Sequence, residues 1–230
     1  MNRISVEYEQ GLCPENSIMC GVDEAGRGPL VGRVYAAAVI LGEKITSMPE
    51  FETLNDSKKL TEKKRNLLAD IIKQNAVSYC VSYAEVEEIE KLNILGAAIL
   101  AMNRAVEGLS VKADFALIDG NYTKGILIPC KNVVKGDSLC PSIAAASILA
   151  KTERDKYCVE YLDKNYPEYG FAAHKGYGTA AHYEAVKKHG LCPEHRKSFF
   201  KKYFEKQIGR AHVRTPVTTP HLVCRLLLEK

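Results

Sequence analysis

The stretch that most limits how this chain can fold is S-I-M-C-G-V-D-E-A-G-R-G-P-L-V-G-R-V-Y-A-A-A-V-I-L, from Ser17 to Leu41. Ile18–Val22 predicts a buried strand and Val34–Leu41 a second, and Gly26, Gly28, Pro29 and Gly32 between them forbid either from continuing. Asp23 and Glu24 are therefore expected where a strand stops. Adjacent side chains on a strand point to opposite faces, so two neighbouring carboxylates converge only if the chain twists there. Gly26 and Gly28 make that twist cheap and leave backbone N–H groups open around Arg27, a layout suited to a phosphate or a sugar. A lone D-E pair would read as a solvated strand end. Carboxylates, glycines and an arginine packed so closely weaken that reading.

Downstream, Thr61 is an N-cap for a helix to Asn75, and V-S-Y-C-V-S-Y (Val77–Tyr83) alternates as a one-sided strand does. Glu85–Leu92 and Ile94–Leu109 read as two helices, Phe115–Gly120 as a buried strand ending in Asp119, and Gly125–Pro129 as a fifth strand. K-G-D-S, holding Asp137, turns into a long helix from Pro141 to about Lys164, and a shorter helix runs from Thr179 to Lys188, closed by Gly190. Strands first, then helix and strand in alternation, predict a mixed α/β sheet with helices packed on it, in one domain.

The 230 residues are 46% apolar, enough for one core, with no apolar run of membrane-spanning length and no signal-like N-terminus, so a cytoplasmic protein is expected. Eight cysteines without a C-x-x-C pair read as reduced thiols. Of the net charge of +4, +3 falls in 207–230, so overall charge says little about partners.

Two strands ending in Asp119 and Asp23 at one sheet edge would bring both acids to one crevice, with Glu24 alongside and Asp137 at a helix start. Taken singly, each acid has an ordinary explanation as a turn former or a solvated end. Four carboxylates in one pocket cannot all stay ionised without a cation, and the hard ions Mg²⁺ or Mn²⁺ suit oxygen ligands. Such a site is fitted to metal-assisted phosphodiester hydrolysis. No nucleophile elbow, H-E-x-x-H or phosphate loop competes with it. Ser147, Lys151 and Arg154 share one helical face that would line a phosphate backbone, although Lys151 paired with Asp155 on a solvated face explains the same spacing. From His174 to Lys206 basic residues, Lys175 and Arg196 among them, outnumber acids by five. Tyr177, between Gly176 and Gly178, is either a stacking platform for a sugar or base or an ordinary loop tyrosine.

With these residues assembled, the chain closely resembles the type 2 ribonucleases H, the ribonuclease HII family of bacteria. D-E-A-G-R-G-P-L-x-G, N-D-S-K-K-L, L-I-D-G-N, K-G-D-S followed by S-I-A-A-A-S-I-L-A-K-x-x-R-D, H-K-G-Y-G-T and H-R-K-S-F stand in family order from Ile18 to Phe200. The resemblance implies a ribonuclease H-like mixed five-stranded sheet flanked by helices, with a helical C-terminal extension. It implies an endonuclease that cuts RNA in RNA–DNA hybrids and nicks 5′ to a single ribonucleotide in duplex DNA, leaving a 3′-hydroxyl and a 5′-phosphate, with two divalent ions, Mg²⁺ or Mn²⁺. Asp23, Glu24, Asp119 and Asp137 would hold the metal. Gly26, Arg27 and Gly28 would read the 2′-hydroxyl and Tyr177 would stack on the following deoxyribose. Lys58, Ser147, Lys151, Arg154, Lys175 and Arg196 are the remaining substrate contacts expected. The type 3 enzymes carry a separate N-terminal substrate-binding domain, whereas about 17 residues precede the first expected strand here, and A-G-R-G also favours type 2. A monomer is expected. A DNA-only nuclease and a non-catalytic hybrid-binding module are the rivals; G-R-G speaks against the first and the four acids against the second.

Residues 1–206 are expected to be the catalytic domain. The tail 207–230 has no helical or strand period, and 208–218 and 221–230 can be spelled by a common short-read sequencing adapter, with Arg214 where that adapter would read as a stop. The alternative is a natural basic tail. A clamp-binding peptide, common at the C-terminus of some relatives, would fall where this tail stands, so a sliding-clamp partner is left open. Resequencing the gene's 3′ end from independently prepared DNA is expected to give different codons after Lys206; the same codons would establish a natural tail.

Overall fold

The computed structural model describes residues 4–48, 60–201 and 203–205. Lys58, with nearly all of N-D-S-K-K-L, and the tail beyond 205 lie outside them. The chain divides into two compact units at Arg196 and Lys197. The first is built on a sheet of β1 (Met19–Ala25), β2 (Val34–Ile40), β3 (Ser78–Ala84), β4 (Phe115–Asp119) and β5 (Cys130–Val133) in the order β3-β2-β1-β4-β5. β1–β2 and β2–β3 are antiparallel, and β1–β4 and β4–β5 parallel. The expected mixed five-stranded sheet is present.

Its helices are α1 (Val6–Gln10), α2 (Glu43–Thr46), α3 (Glu62–Asn75), α4 (Val86–Glu107), α5 (Pro141–Tyr157), α6 (Asp163–Asn165), α7 (Phe171–His174) and α8 (Ala180–His189). Thr61 caps α3 through its hydroxyl, as its sequence position predicts, and Thr179, read from sequence as the first residue of its helix, instead caps α8 the same way. α4 breaks at Asn93 (φ 60°, ψ 170°), whose Oδ1 accepts from the Leu95 and Gly96 N–H groups, so the two helices read from sequence are real halves of one element. α5 continues through a π-turn, Cys158–Leu162, into α6.

The close approach of α5 to β1 sets the architecture. A Cβ on Gly21 would stand 2.2 Å from the carbonyl carbon of Ser142, so only glycine admits the helix backbone there. Ala144, Ala145, Ala146 and Ala150 of α5 are completely buried, in one core with Ala37 and Val39 of β2 and Leu68, Ala69 and Ile72 of α3. Val81 packs against that core, whereas the neighbouring Cys80 meets Gly108 at the end of α4. Side chains alternate along a strand, so α5 and α4 cover opposite faces of the sheet.

Two strand predictions are corrected. β1 does not stop before Asp23: it runs to Ala25, because β2 continues alongside and pairs Asp23 with Ala37 and Glu24 with Ala36. The fifth strand is Cys130–Val133, not Gly125–Pro129. Gly125 takes φ +100° in the turn, Leu127 is 81% exposed and Pro129 has no N–H to give a ladder, so pairing with β4 begins only at Cys130. The second unit contributes a 3₁₀ turn, Lys197–Phe200, and a cluster of the Phe200, Tyr203 and Phe204 rings. Among the described residues no helix is long and apolar enough to cross a membrane, and the seven described cysteines are all free thiols.

The short α1 went unread in the sequence, yet it caps α5. Cys140 offers no side-chain cap, and Glu9 of α1 instead accepts from the Ser142 N–H (2.8 Å) and hydroxyl (2.7 Å). Burial pushes the Glu9 carboxyl up from 4.5 to about 7, against the pull of those two bonds. The folded state therefore holds the proton more tightly than the unfolded one, so Glu9's contribution is full below pH 4.5 and falls away as pH rises to about 7. Wild type is expected to lose roughly 3 kcal/mol across that window on this account. Glu9→Gln, which keeps an acceptor and cannot ionise, should remove that part of the slope, as read from urea midpoints at pH 5 and 7.5.

Candidate active site

Register brings the first two acids together. Val22 pairs with Ile118 across the parallel β1–β4 ladder, so Asp23 and Asp119, each the next residue, stand side by side, Asp119 ending β4 and Asp23 two residues before the end of β1. Asp119 Oδ1 accepts from the Gly136 N–H (2.7 Å), and the backbone N–H of Asp137 also reaches it. Lys135 in the left-handed region (φ 58°) makes that tight 3₁₀ turn, Gly136–Ser138, and thereby tethers Asp137 beside Asp119. Glu24 gives its backbone N–H to Asp23 Oδ1 (2.7 Å) and takes Arg27 Nη1 on its carboxylate (2.8 Å).

Proximity shows in the acidities. Burial holds the Asp23 carboxyl well above the usual carboxylate range, and the charges of Glu24 and Asp119 push it further; the Ser147 hydroxyl and the Glu24 N–H pull it back. Asp119 is also raised, by burial first and Glu24 next, with the Gly136 N–H opposing. Among the described residues no group of three His, Cys, Asp or Glu side chains forms a ready metal cage. The donor set nonetheless fits a hard cation: its ligand atoms are carboxylate oxygens, and the burial and mutual repulsion that raise Asp23 and Asp119 are what a divalent ion would offset.

A cavity of about 630 Å³ runs from Asp23 and Glu24 past Gly26, Arg27 and Gly28 to Tyr177, with Arg65, Ser147 and Lys151 also in its wall. Asp119 and Asp137 are not in that wall. Gly26 takes φ +96°, and a Cβ there would press on the Arg33 carbonyl oxygen at 3.1 Å. Gly28 lies against the Tyr177 ring, where an added Cβ would stand 3.4 Å from Cε1. Tyr177 is 43% exposed, and Lys151 and Arg154 hold cations 5.7 and 5.4 Å from its ring centre.

Other predicted contacts have different surroundings. Ser147 is buried and bonded to Asp23. Lys151 does pair with Asp155 (2.7 Å), but the pair is not on a solvated face: Asp155 is buried and also takes Arg65 (3.1 Å) and Arg154 (3.2 Å). Arg154 is buried and donates to the Lys175 carbonyl, while Lys175, itself left-handed, gives its ammonium to the Ala172 carbonyl (2.6 Å). Arg196 is wholly buried, its guanidinium donating to the carbonyls of Gly26 (2.7 Å), Pro29 (2.8 Å), Gly32 (2.9 Å), Arg33 (3.1 Å) and Arg27 (3.2 Å). It shapes the glycine-rich segment from beneath. Burial, with Arg154 nearby, lowers Arg196 to about 9. Arg65 was missed in the sequence; its helical position carried no signal of the cavity.

The ribonuclease HII family model matches residues 20–206. This chain belongs to the ribonuclease HII family. The Dechloromonas aromatica ribonuclease HII is 56% identical over 182 residues, covering 79% of this chain and 90% of that one. The Albidiferax ferrireducens ribonuclease HII is 52% identical over 195 residues, 85% and 92% of the two. The crystal structure of ribonuclease H2 from Pyrococcus horikoshii superposes with a TM-score of 0.66 at 24% identity, over 86% of this chain and 99% of its own, and shows the same ribonuclease H-like fold. Family membership makes the chain a ribonuclease H-type endonuclease.

Five carbonyls on one guanidinium cannot be matched by an ammonium. Arg196→Lys is expected to cost about 3 kcal/mol or more in chemical denaturation, since it leaves buried acceptors unpaired; a loss within error of zero would show that the segment holds itself.

Proposed function

We propose that this chain hydrolyses the RNA strand of RNA–DNA hybrids and nicks duplex DNA 5′ to a single ribonucleotide, releasing 3′-hydroxyl and 5′-phosphate ends. The observation that carries this reading is the juxtaposition of Asp23 and Asp119 by strand register, with Asp23 and Glu24 sharing one cavity with Gly26–Gly28 and Tyr177. Asp23, Glu24, Asp119 and Asp137 are the residues that would hold two divalent ions, Mg²⁺ or Mn²⁺, whose chemistry is to lower the pKa of water and to neutralise charge on the departing oxygen.

The chain's own groups do the rest. The Ser147 hydroxyl and the Glu24 N–H favour the ionised form of Asp23, and the Gly136 N–H does the same for Asp119. These bonds oppose, without cancelling, the rise that burial imposes on both acids. Lacking side chains, Gly26 and Gly28 leave backbone groups open to a ribose 2′-hydroxyl, the group that separates RNA from DNA. The half-exposed Tyr177 ring offers a face for the deoxyribose that follows. Lys151 and Arg65, both in the cavity wall, supply cations for a phosphate backbone, and Asp155 fixes both.

Asp23→Asn removes the charge at nearly constant shape. Hybrid cleavage is expected to fall at least about 10³-fold while hybrid binding stays within a few-fold. Turnover near wild type would remove Asp23 from the metal site.

A further inference from the structure

Three histidines, His174, His182 and His195, surround Phe171, with ring centres 5.8, 5.4 and 5.8 Å from it, and none lines the cavity. His182 and His195 are buried; His182 stacks on His174 at 4.7 Å, and His195 packs on Tyr169 at 5.0 Å.

Their hydrogen bonds fix a direction. The Cys192 N–H donates to His195 Nδ1 (2.9 Å), so that nitrogen carries no proton and a neutral ring holds its proton on Nε2. His195 Nε2 stands 3.0 Å from His182 Nε2 and donates to it. His182 must then carry its proton on Nδ1, which donates to the Tyr177 carbonyl at 3.0 Å. Burial keeps both rings neutral, lowering His182 below its usual range and His195 to about 4. The chain runs one way, from Cys192 through two imidazoles to Tyr177, whose carbonyl also accepts from the Thr179 N–H (2.8 Å).

The next residue, Arg196, holds the Gly26–Gly28 segment of the cavity wall through the Gly26 and Arg27 carbonyls. Its N–H bonds the Leu30 carbonyl, and the Leu30 N–H bonds the Gly176 carbonyl, so the two segments are laced together by backbone as well. At Gly176 (φ +75°) a Cβ would stand 2.4 Å from Val31 Cγ1, so the loop before Tyr177 has no room to shift toward that segment.

We propose that His182 and His195 are positioning residues for substrate selection, their directional imidazole chain fixing the Tyr177 backbone, and with it the ring, relative to the Gly26–Gly28 segment that Arg196 holds. The proposal rests on the junction-reading role given to Tyr177 above. A residue acting through Tyr177 has no effect of its own on selection once the Tyr177 ring is gone, whereas a merely structural residue slows every substrate alike.

The test compares cleavage of a duplex with one ribonucleotide against a long hybrid, for wild type, His182→Phe, Tyr177→Ala and the double variant. His182→Phe is expected to lower the ratio of the two rates about tenfold, and Tyr177→Ala at least as far. Adding His182→Phe to Tyr177→Ala should move the ratio less than about twofold. Tyr177→Ala leaving the ratio unchanged would sink the junction-reading role. Tyr177→Ala lowering it while folded His182→Phe slows both substrates equally, or compounds with it, would overturn the positioning role alone. Should His182→Phe not fold, long-range ¹⁵N–¹H spectra of the wild-type imidazoles at pH 7 decide: a proton on Nδ1 of His182 and on Nε2 of His195 is expected, and the reverse tautomers or imidazolium rings would refute the chain.

Discussion

Repulsion among the carboxylates of Asp23, Glu24 and Asp119 is the constraint to which the rest of the first unit responds. Register places Asp23 and Asp119 side by side on adjacent strands, and burial removes the water that would screen them. Each acid has a dedicated donor: Ser147 and a backbone N–H for Asp23, the Gly136 turn for Asp119, Arg27 for Glu24. Ser147 reaches Asp23 only because α5 lies almost in contact with β1 at Gly21, and α5 is anchored at its start by Glu9. The small-residue face of α5, which looks like ordinary packing, is thus part of the active site's electrostatics.

A second device acts on the walls of the cavity. Glu194, His195 and Arg196 run back along Leu30–Gly32, with the Gly32 N–H on the Glu194 carbonyl and an isolated bridge between Val31 and His195. From there Arg196 holds the glycine-rich segment and His195 reaches Tyr177 through His182. Segments far apart in sequence are fixed against one another by three consecutive residues. Glycines give a loop freedom to take unusual backbone angles, and the buried guanidinium removes that freedom again without adding bulk to the cavity.

Much of this was legible in the chain. The placement of Asp23 and Asp119 on neighbouring parallel strands, the cap at Thr61 and the break between the halves of α4 follow from patterns the sequence carries. What failed did so for identifiable reasons. Where β1 ends depends on its longer antiparallel neighbour β2, which no pattern in β1 records. The apolar run at Gly125–Pro129 has strand composition, but its proline has no N–H to donate and offers β4 only its carbonyl, and the paired segment is the more polar C-K-N-V. Arg154 and Arg196 look like surface cations; burial turns them into ligands of backbone carbonyls. The histidine chain was invisible because its links are set by the packing of α7, α8 and the Cys192–Arg196 segment.

The central claim is that the carboxylate cluster and the segments facing it form one catalyst that recognises a ribonucleotide. It is tested most directly with a labelled DNA duplex holding a single ribonucleotide, beside an all-DNA duplex, in Mg²⁺, in Mn²⁺ and in chelator. The account predicts one metal-dependent nick, 5′ to the ribonucleotide, and none in the all-DNA duplex. Equal cutting of both duplexes, or no cutting in either metal by folded protein, would contradict it.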